Sequence, residues 1–264
     1  MRSSDLHIQI DSQNLVEIPE GISEKVVHLS LYNNQLTNLP DWLWNLWRLQ
    51  SLNLAGNRIT QISDKVQRLQ HLRMLDIGHN HIQQIPPALG MLPSLTDFLY
   101  LSDNGIAQLP DELTALCQLR YLNVTHNQLR HLPEQIGEMV GLVELRAYAN
   151  PLVELPSSIG MLERLRELHL DSTPLTQLPD SIGGLTQLRI LSLRGCRLTH
   201  LPATVEKLHH LRHLDLRANA LTDLPETLTT LPNLEKLDLR WNPTLRHLPP
   251  WLSLLEARGC LVYR

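Results

Sequence analysis

The sequence has little of what usually announces chemistry. It holds one phenylalanine and five tyrosines in 264 residues, so the places where those rings fall are informative. Its three cysteines, Cys117, Cys196 and Cys260, are odd in number and far apart, and no disulfide framework follows from them. A formal charge of −4 argues against a nucleic-acid or membrane-surface partner. No apolar run reaches the roughly 18 to 20 residues of a membrane span. The opening MRSSDLHIQIDS lacks the apolar stretch of a secretory leader. There is no Gly/Ser linker, phosphate loop, GxSxG or kinase signature. The thirteen histidines include the local pairs His79–His81 and His209–His210, but no HxxxH, CxxC or carboxylate cluster joins them in sequence. The expectation is therefore no catalytic residue, no cofactor and no metal. Asn123-Val-Thr125 matches a glycosylation sequon but falls on an expected strand, where it should be silent.

What is present is a period. Leu119 to Pro133 reads LRYLNVTHNQLRHLP, and the spacing LxxLxLxxNxLxxLP recurs along nearly the whole chain. Units begin at Val26, Leu49, Leu72, Leu95, Leu119, Leu142, Leu165, Leu188, Leu211 and Leu234, in steps of 23 residues with one step of 24. Within a unit, Leu122 and Val124 alternate with polar Asn123, which predicts a short strand with one buried face. Asn127 marks the turn that follows. Its amide both donates and accepts, so stacked asparagines can satisfy buried backbone groups. The column reads Asn34, Asn57, Asn80, Asn104, Asn127, Asn150, Thr173, Cys196, Asn219 and Asn242, with Gln13 in the irregular first unit. Thr173 and Cys196 each keep one donor and are expected to serve. Links such as LPSSIGMLERL predict a short helix or 3₁₀ turn after each proline, capped by the Asp, Ser or Glu that follows. One-residue insertions between Leu95 and Leu99 and after Asn242 predict a bulge or widened turn.

These residues resemble the leucine-rich repeat family, and LPxxIGxL at 23 residues resembles its Ras-group, disease-resistance-like repeats. IPEGISEKVVHLSLYNNQLTNLP and the closing LSLLEARGCLVYR resemble the repeats of bacterial type III effectors. The resemblance implies an α/β solenoid, a curved horseshoe with a parallel sheet on its concave face and short helices or 3₁₀ turns on its convex face. One domain is expected over 1–264. Residues 1–25 would form an N-terminal cap, 26–248 ten repeats, and 249–264 a C-terminal cap. Leu252, Leu255, Ala257 and Cys260 would take strand and column positions, and Cys260–Tyr263 would form a terminal edge. Secreted members usually carry cysteine-paired caps, so the cysteine pattern points to the cytoplasm, with translocation into a host cell compatible.

On such a fold the outward strand residues line the binding face. Tyr32, Phe98, Tyr100, Tyr121 and Tyr148 fall there, with Arg146 and His169 nearby. Toward the C-terminus lie Arg194, Arg217, Arg240 and Trp241, beside Asp215 and Asp238. Tyr, Trp and Arg are enriched at protein–protein hot spots, so these eleven residues are the candidate partner site. Asp215 and Asp238 would neutralise the arginines across neighbouring strands, each pair worth under about 1 kcal/mol. Trp42, Trp44 and Trp47 in the link LPDWLWNLWRL either pack on the cap or form a small apolar patch, with Leu43, Leu46 and Leu49 inward. The expected function is a monomeric scaffold that binds another protein, of the small-GTPase, signalling or host type, and neither nucleic acid nor membrane. Two other readings stay open: the substrate-recognition part of an effector or E3 ubiquitin ligase whose catalytic domain is absent, and a self-associating structural protein.

Overall fold

The computed structural model describes residues 6–264. The first five residues of the expected cap, and of the stretch read for a leader, lie outside the described residues. The chain forms two compact units, the first reaching Gln128 and the second running Leu129–Arg264.

The first unit holds β1 (His7–Gln9), β2 (His28–Ser30), β3 (Ser51–Asn53), β4 (Met74–Asp76), β5 (Phe98–Tyr100) and β6 (Tyr121–Asn123). The second holds β7 (Glu144–Arg146), β8 (Glu167–His169), β9 (Ile190–Ser192), β10 (His213–Asp215), β11 (Lys236–Asp238) and β12 (Leu261–Tyr263). Within each unit the strands pair in parallel with their sequence neighbours, Leu29 beside Leu52 and Leu168 beside Leu191. The middle residue of most strands is a leucine with essentially no exposure, and its two neighbours point outward. Repeats one period apart thus share a continuous leucine core that no single repeat could bury alone.

Asparagine closes most turns. Asn80 Nδ2 donates to the carbonyls of Leu54, Ile77 and Gly78, and its Oδ1 accepts the Ile59 amide at 2.9 Å. The carbonyls have other donors as well: Leu54 O also accepts from Asn57, and Ile77 O from Asn104. The amide has no other acceptor, so Oδ1 is the part of the side chain that nothing replaces. This revises the expectation for Thr173 and Cys196. Both donate, to Leu170 O, but neither accepts the amide 21 residues upstream, and among the described residues Leu152 and Leu175 N–H lack the bond their equivalents make. Gln13 is also corrected: its side chain is exposed, and only its backbone amide joins the ladder, donating to Asn34 Oδ1 at 3.0 Å.

The links are 3₁₀ turns, as expected, but they are capped differently. Proline itself occupies the position before most of these turns, for example Pro110 at φ −68 and ψ 145, and no side chain caps them; Gln135 stands there before Ile136–Glu138. In the one link where Ser63 replaces proline, its hydroxyl accepts the Lys65 amide. Proline has already fixed the entry angle, so the acidic residue after it sits in the first turn rather than capping it. The glycine of LPxxIGxL lets these turns stack: a Cβ on Gly160 would lie 2.1 Å from Ser181 O.

The insertion before β5 makes the expected bulge. Asp97 and Phe98 N–H share Arg73 O as the paired amides before other strands do, but the next repeat's Arg120 amide bonds to the carbonyl of the extra residue, Thr96, instead of to that of Asp97, the residue just before the strand. At the other end, Leu252–Ala257 is an α-helix, α1, so Leu252 and Leu255 are buried from a helix and not from a strand. The terminal edge strand is β12. No helix among the described residues is long and apolar enough to cross a membrane.

Candidate functional site

In the first unit the outward residues of β4 to β6 bring three rings together. Phe98 lies beside Tyr121 in register, and Tyr100 shares its strand with Phe98. Ring centroids are 5.0 Å apart for Tyr100–Tyr121, 5.6 Å for Phe98–Tyr121 and 5.9 Å for Phe98–Tyr100. Phe98 is 43% exposed, while its strand neighbour Leu99 is fully buried. The bulge flank is held by Arg73, which makes two 3.1 Å contacts to Asp97. Tyr32 is exposed but stands apart, against Gly56 and with no ring partner among the described residues.

Asp76 ends β4 directly beside Tyr100 in register. It is half-buried, and its Oδ1 accepts the Gly78 amide at 3.0 Å. Burial is the main influence on its carboxyl and raises its pKa; the Gly78 amide and the His79 charge oppose this only in part. No cationic side chain among the described residues forms an ion pair with it. Residue order alone gave no reason to single out Asp76.

In the second unit the corresponding aspartates are paired. Arg217 engages Asp215 through Nε at 2.9 Å and also approaches Asp238 at 3.5 Å. Arg240 grips Asp238 through Nε at 2.9 Å and a terminal nitrogen at 2.6 Å. The Asp238 side chain has no exposure, so this pair is not the surface pair expected from sequence. Burial pushes the Asp238 carboxyl up, but the hydrogen bonds and charge of Arg240, with Arg217 behind, outweigh it and hold the pKa below the ordinary value. The Arg240 guanidinium also lies 5.0 Å from the ring of Tyr263, which is in register with Asp238, and 5.6 Å from Trp241. Tyr263 is the tyrosine that the candidate list omits; the alternation Leu261-Val262-Tyr263 was the available signal. Trp241 is 62% exposed, and Arg194 is exposed with no ion-pair partner among the described residues.

Arg146 and His169 are neighbours in register on β7 and β8, and Tyr148 follows β7, half-buried. Arg146 pairs with Glu144, and His169 Nε2 lies 3.1 Å from Glu167. Glu144, Glu167 and His169 place ligand atoms within 4.8 Å of one another, a carboxylate–histidine group that sequence spacing did not reveal. Both acids are already engaged, by Arg146 and by His169.

The tryptophan patch does not form. Leu43, Leu46 and Leu49 are inward, but Trp44 joins them at 1% exposure, Trp42 is half-buried, and Trp47 alone stands out, under the Arg48 guanidinium at 4.7 Å. Thr125 of the sequon is 1% exposed, and Asn123 Oδ1 accepts the Thr125 amide, so the motif is structural.

Models described as leucine-rich repeat region, leucine rich repeat and leucine rich repeats (2 copies) match this chain. The first covers residues 102–194 and 159–241, more than half of the chain; the others cover 48–106 and 24–65. No curated protein matches. Among solved structures, the plant peptide hormone receptor RGFR1 in complex with RGF2 is 28% identical at a TM-score of 0.75, over 84% of this chain and 37% of the receptor. The chain thus spans little more than a third of that receptor's length. FLRT2 (LRR), in an octameric complex with Latrophilin 3 and Unc5D, is 28% identical at a TM-score of 0.65, over 86% of this chain and 71% of that one. An internalin from Listeria monocytogenes, 20% identical at a TM-score of 0.61 over 98% of this chain and 86% of its own, shows the same fold. With the leucine core, the asparagine ladder and the parallel strands in place, the chain belongs to the leucine-rich repeat family.

Proposed function

We propose that the chain is a non-catalytic protein-binding module whose outward sheet residues contact another protein. One observation carries this: Phe98, Tyr100 and Tyr121 form a contiguous aromatic surface on a strand face whose other side is solid leucine core. Rings already packed together lose little freedom on binding and bury large area, as hot-spot residues do. Two relatives at 28% identity support the same reading, since their titles describe one in complex with RGF2 and the other in a complex with Latrophilin 3 and Unc5D.

The remaining candidates take graded roles. Tyr32 is an exposed further contact in the first unit, and Arg194 and Trp241 are exposed contacts in the second. Arg146, His169, Arg217 and Arg240 are engaged within the chain and serve mainly to order it. The three cysteines are free thiols, which supports a reducing compartment. The test is affinity capture, from native and host lysates, by wild type and by a Phe98→Ala/Tyr121→Ala variant shown by circular dichroism to be folded. A partner retained equally by both contradicts the proposal.

A further inference from the structure

The second unit contains a complete cation site built from its own residues. Asp238 and Tyr263 are neighbours in register, and Arg240, two residues after Asp238, lies between them: bonded to the carboxylate and 5.0 Å from the ring. The first unit repeats two of the three parts. Asp76 and Tyr100 are neighbours in the same register, at the same positions of the repeat. Where Arg240 would stand, two residues after the aspartate, the chain has Gly78. The Asp76 carboxylate therefore stands beside Tyr100 in register with no ion-pair partner among the described residues, its Oδ1 bonded by the Gly78 amide.

We propose that the Asp76–Tyr100 pair is a receptor slot for an arginine side chain of the partner protein, whose guanidinium takes the place that Arg240 takes beside Asp238 and Tyr263. This rests on the binding-face reading above and adds the chemistry of the contact. Arginine fits because its planar fork bonds a carboxylate while its face lies over a ring. Phe98 and Tyr121 pack against the Tyr100 ring and extend the apolar surface beside it. The raised pKa of Asp76 agrees: a half-buried carboxylate that lacks a cation gains from receiving one. A Cβ at Gly78 would lie 3.1 Å from Ser102 Oγ and 3.3 Å from Asp76 Oδ1, so this repeat is too tight there to carry a side chain of its own that could pair with Asp76.

The test uses acetyl-Gly-Arg-Gly-amide and its citrulline counterpart, which keeps the shape of arginine without the charge. Each is titrated into the isotope-labelled full chain and followed by two-dimensional NMR. The arginine peptide is expected to move the amide signals of Asp76, Gly78 and Tyr100 with an affinity on the order of millimolar, and citrulline to bind about tenfold more weakly or worse. Asp76→Asn, which keeps shape and the Gly78 bond, should remove the arginine response. Equal responses to the two peptides, or an unchanged response in Asp76→Asn, overturn the slot. A captured partner lost with Phe98→Ala but indifferent to Asp76→Asn and to the arginine peptide overturns the slot and leaves the docking face standing. A partner indifferent to Phe98→Ala and Tyr121→Ala overturns the face itself.

Discussion

The Thr173 hydroxyl and the Cys196 thiol lie 3.3 Å apart, in the two successive regular repeats whose turns carry no asparagine. Both side chains are buried, and both reach Leu170 O. Burial pushes the Cys196 thiol pKa up, the reverse of what a reactive cysteine needs. What the pair lacks is an acceptor for the amide 21 residues upstream, so Leu152 and Leu175 N–H have no hydrogen-bond partner among the described residues.

Restoring the acceptor should stabilise the chain. Thr173→Asn and Cys196→Asn are each expected to add about 1 kcal/mol, the scale of one buried amide satisfied. The reciprocal change, Asn127→Thr, strands the Ile106 amide that Asn127 Oδ1 accepts at 3.0 Å and should cost about 1–2 kcal/mol. Urea unfolding midpoints check all three. Loss of stability in both asparagine variants would show that volume, not hydrogen bonding, chose Thr and Cys.

Gly160→Ala should cost about 2 kcal/mol or more, because the added methyl meets Ser181 O, a backbone atom that cannot swing away. The comparison is Gly21→Ala, where nothing lies within 4 Å and only a positive φ of 86 opposes the change. Thermal denaturation of both variants reads the difference. A harmless Gly160→Ala would mean that the stacked turns can separate.

Asp76→Asn should stabilise the folded chain at pH 7 by roughly 0.5–1 kcal/mol. The sign follows from the raised pKa. A carboxyl that binds its proton more tightly when folded favours folding below its ordinary value of 3.8, and that advantage is lost as pH rises through the folded pKa. The gain from the variant should therefore shrink at acid pH. Melting temperatures of both proteins across pH 3–8 test this, and a gain that grows on acidification would contradict it. Removing a charge that binds while raising stability is the trade expected of a functional residue.

His28 gives the opposite case among bases. Burial, and then the charge of His7 stacked 4.2 Å away, hold its pKa below 6.5. Its neutral form suits the fold, so stability is intact above pH 6.5 and falls as pH drops through that value. His28→Asn should flatten this part of the pH–stability curve. An unchanged slope would remove His28 as its cause.

The fold was legible because it depends on spacing. Leucines at a fixed period declare which residues are inward, and the rows from Leu29 to Leu237 are buried as that spacing requires. Bulge and edge strand also followed from counting. What eluded counting depends on neighbours one period away. Trp44 is buried because the stacked core has room for a ring there, which the i, i+3 pattern of LPDWLWNLWRL does not show. Thr173 and Cys196 looked adequate by their donors, but the essential acceptor acts on an amide 21 residues upstream, as in Leu129 N–H to Asn150. The meeting of Phe98, Tyr100 and Tyr121 could be placed by column. The isolation of Asp76 could be seen only against Asp215 and Asp238, whose arginines stand where it has Gly78.

The most direct measurement is calorimetric titration of a purified captured partner against wild type, Phe98→Ala, Tyr121→Ala and Trp47→Ala. Trp47 is an exposed aromatic on the link side, away from the strands, and serves as the control. The account predicts that Phe98→Ala and Tyr121→Ala each weaken binding by about thirtyfold or more, as loss of a central hot-spot ring does. Trp47→Ala should bind like wild type. Full affinity in both ring variants, or a loss confined to Trp47→Ala, would contradict binding on the strand face.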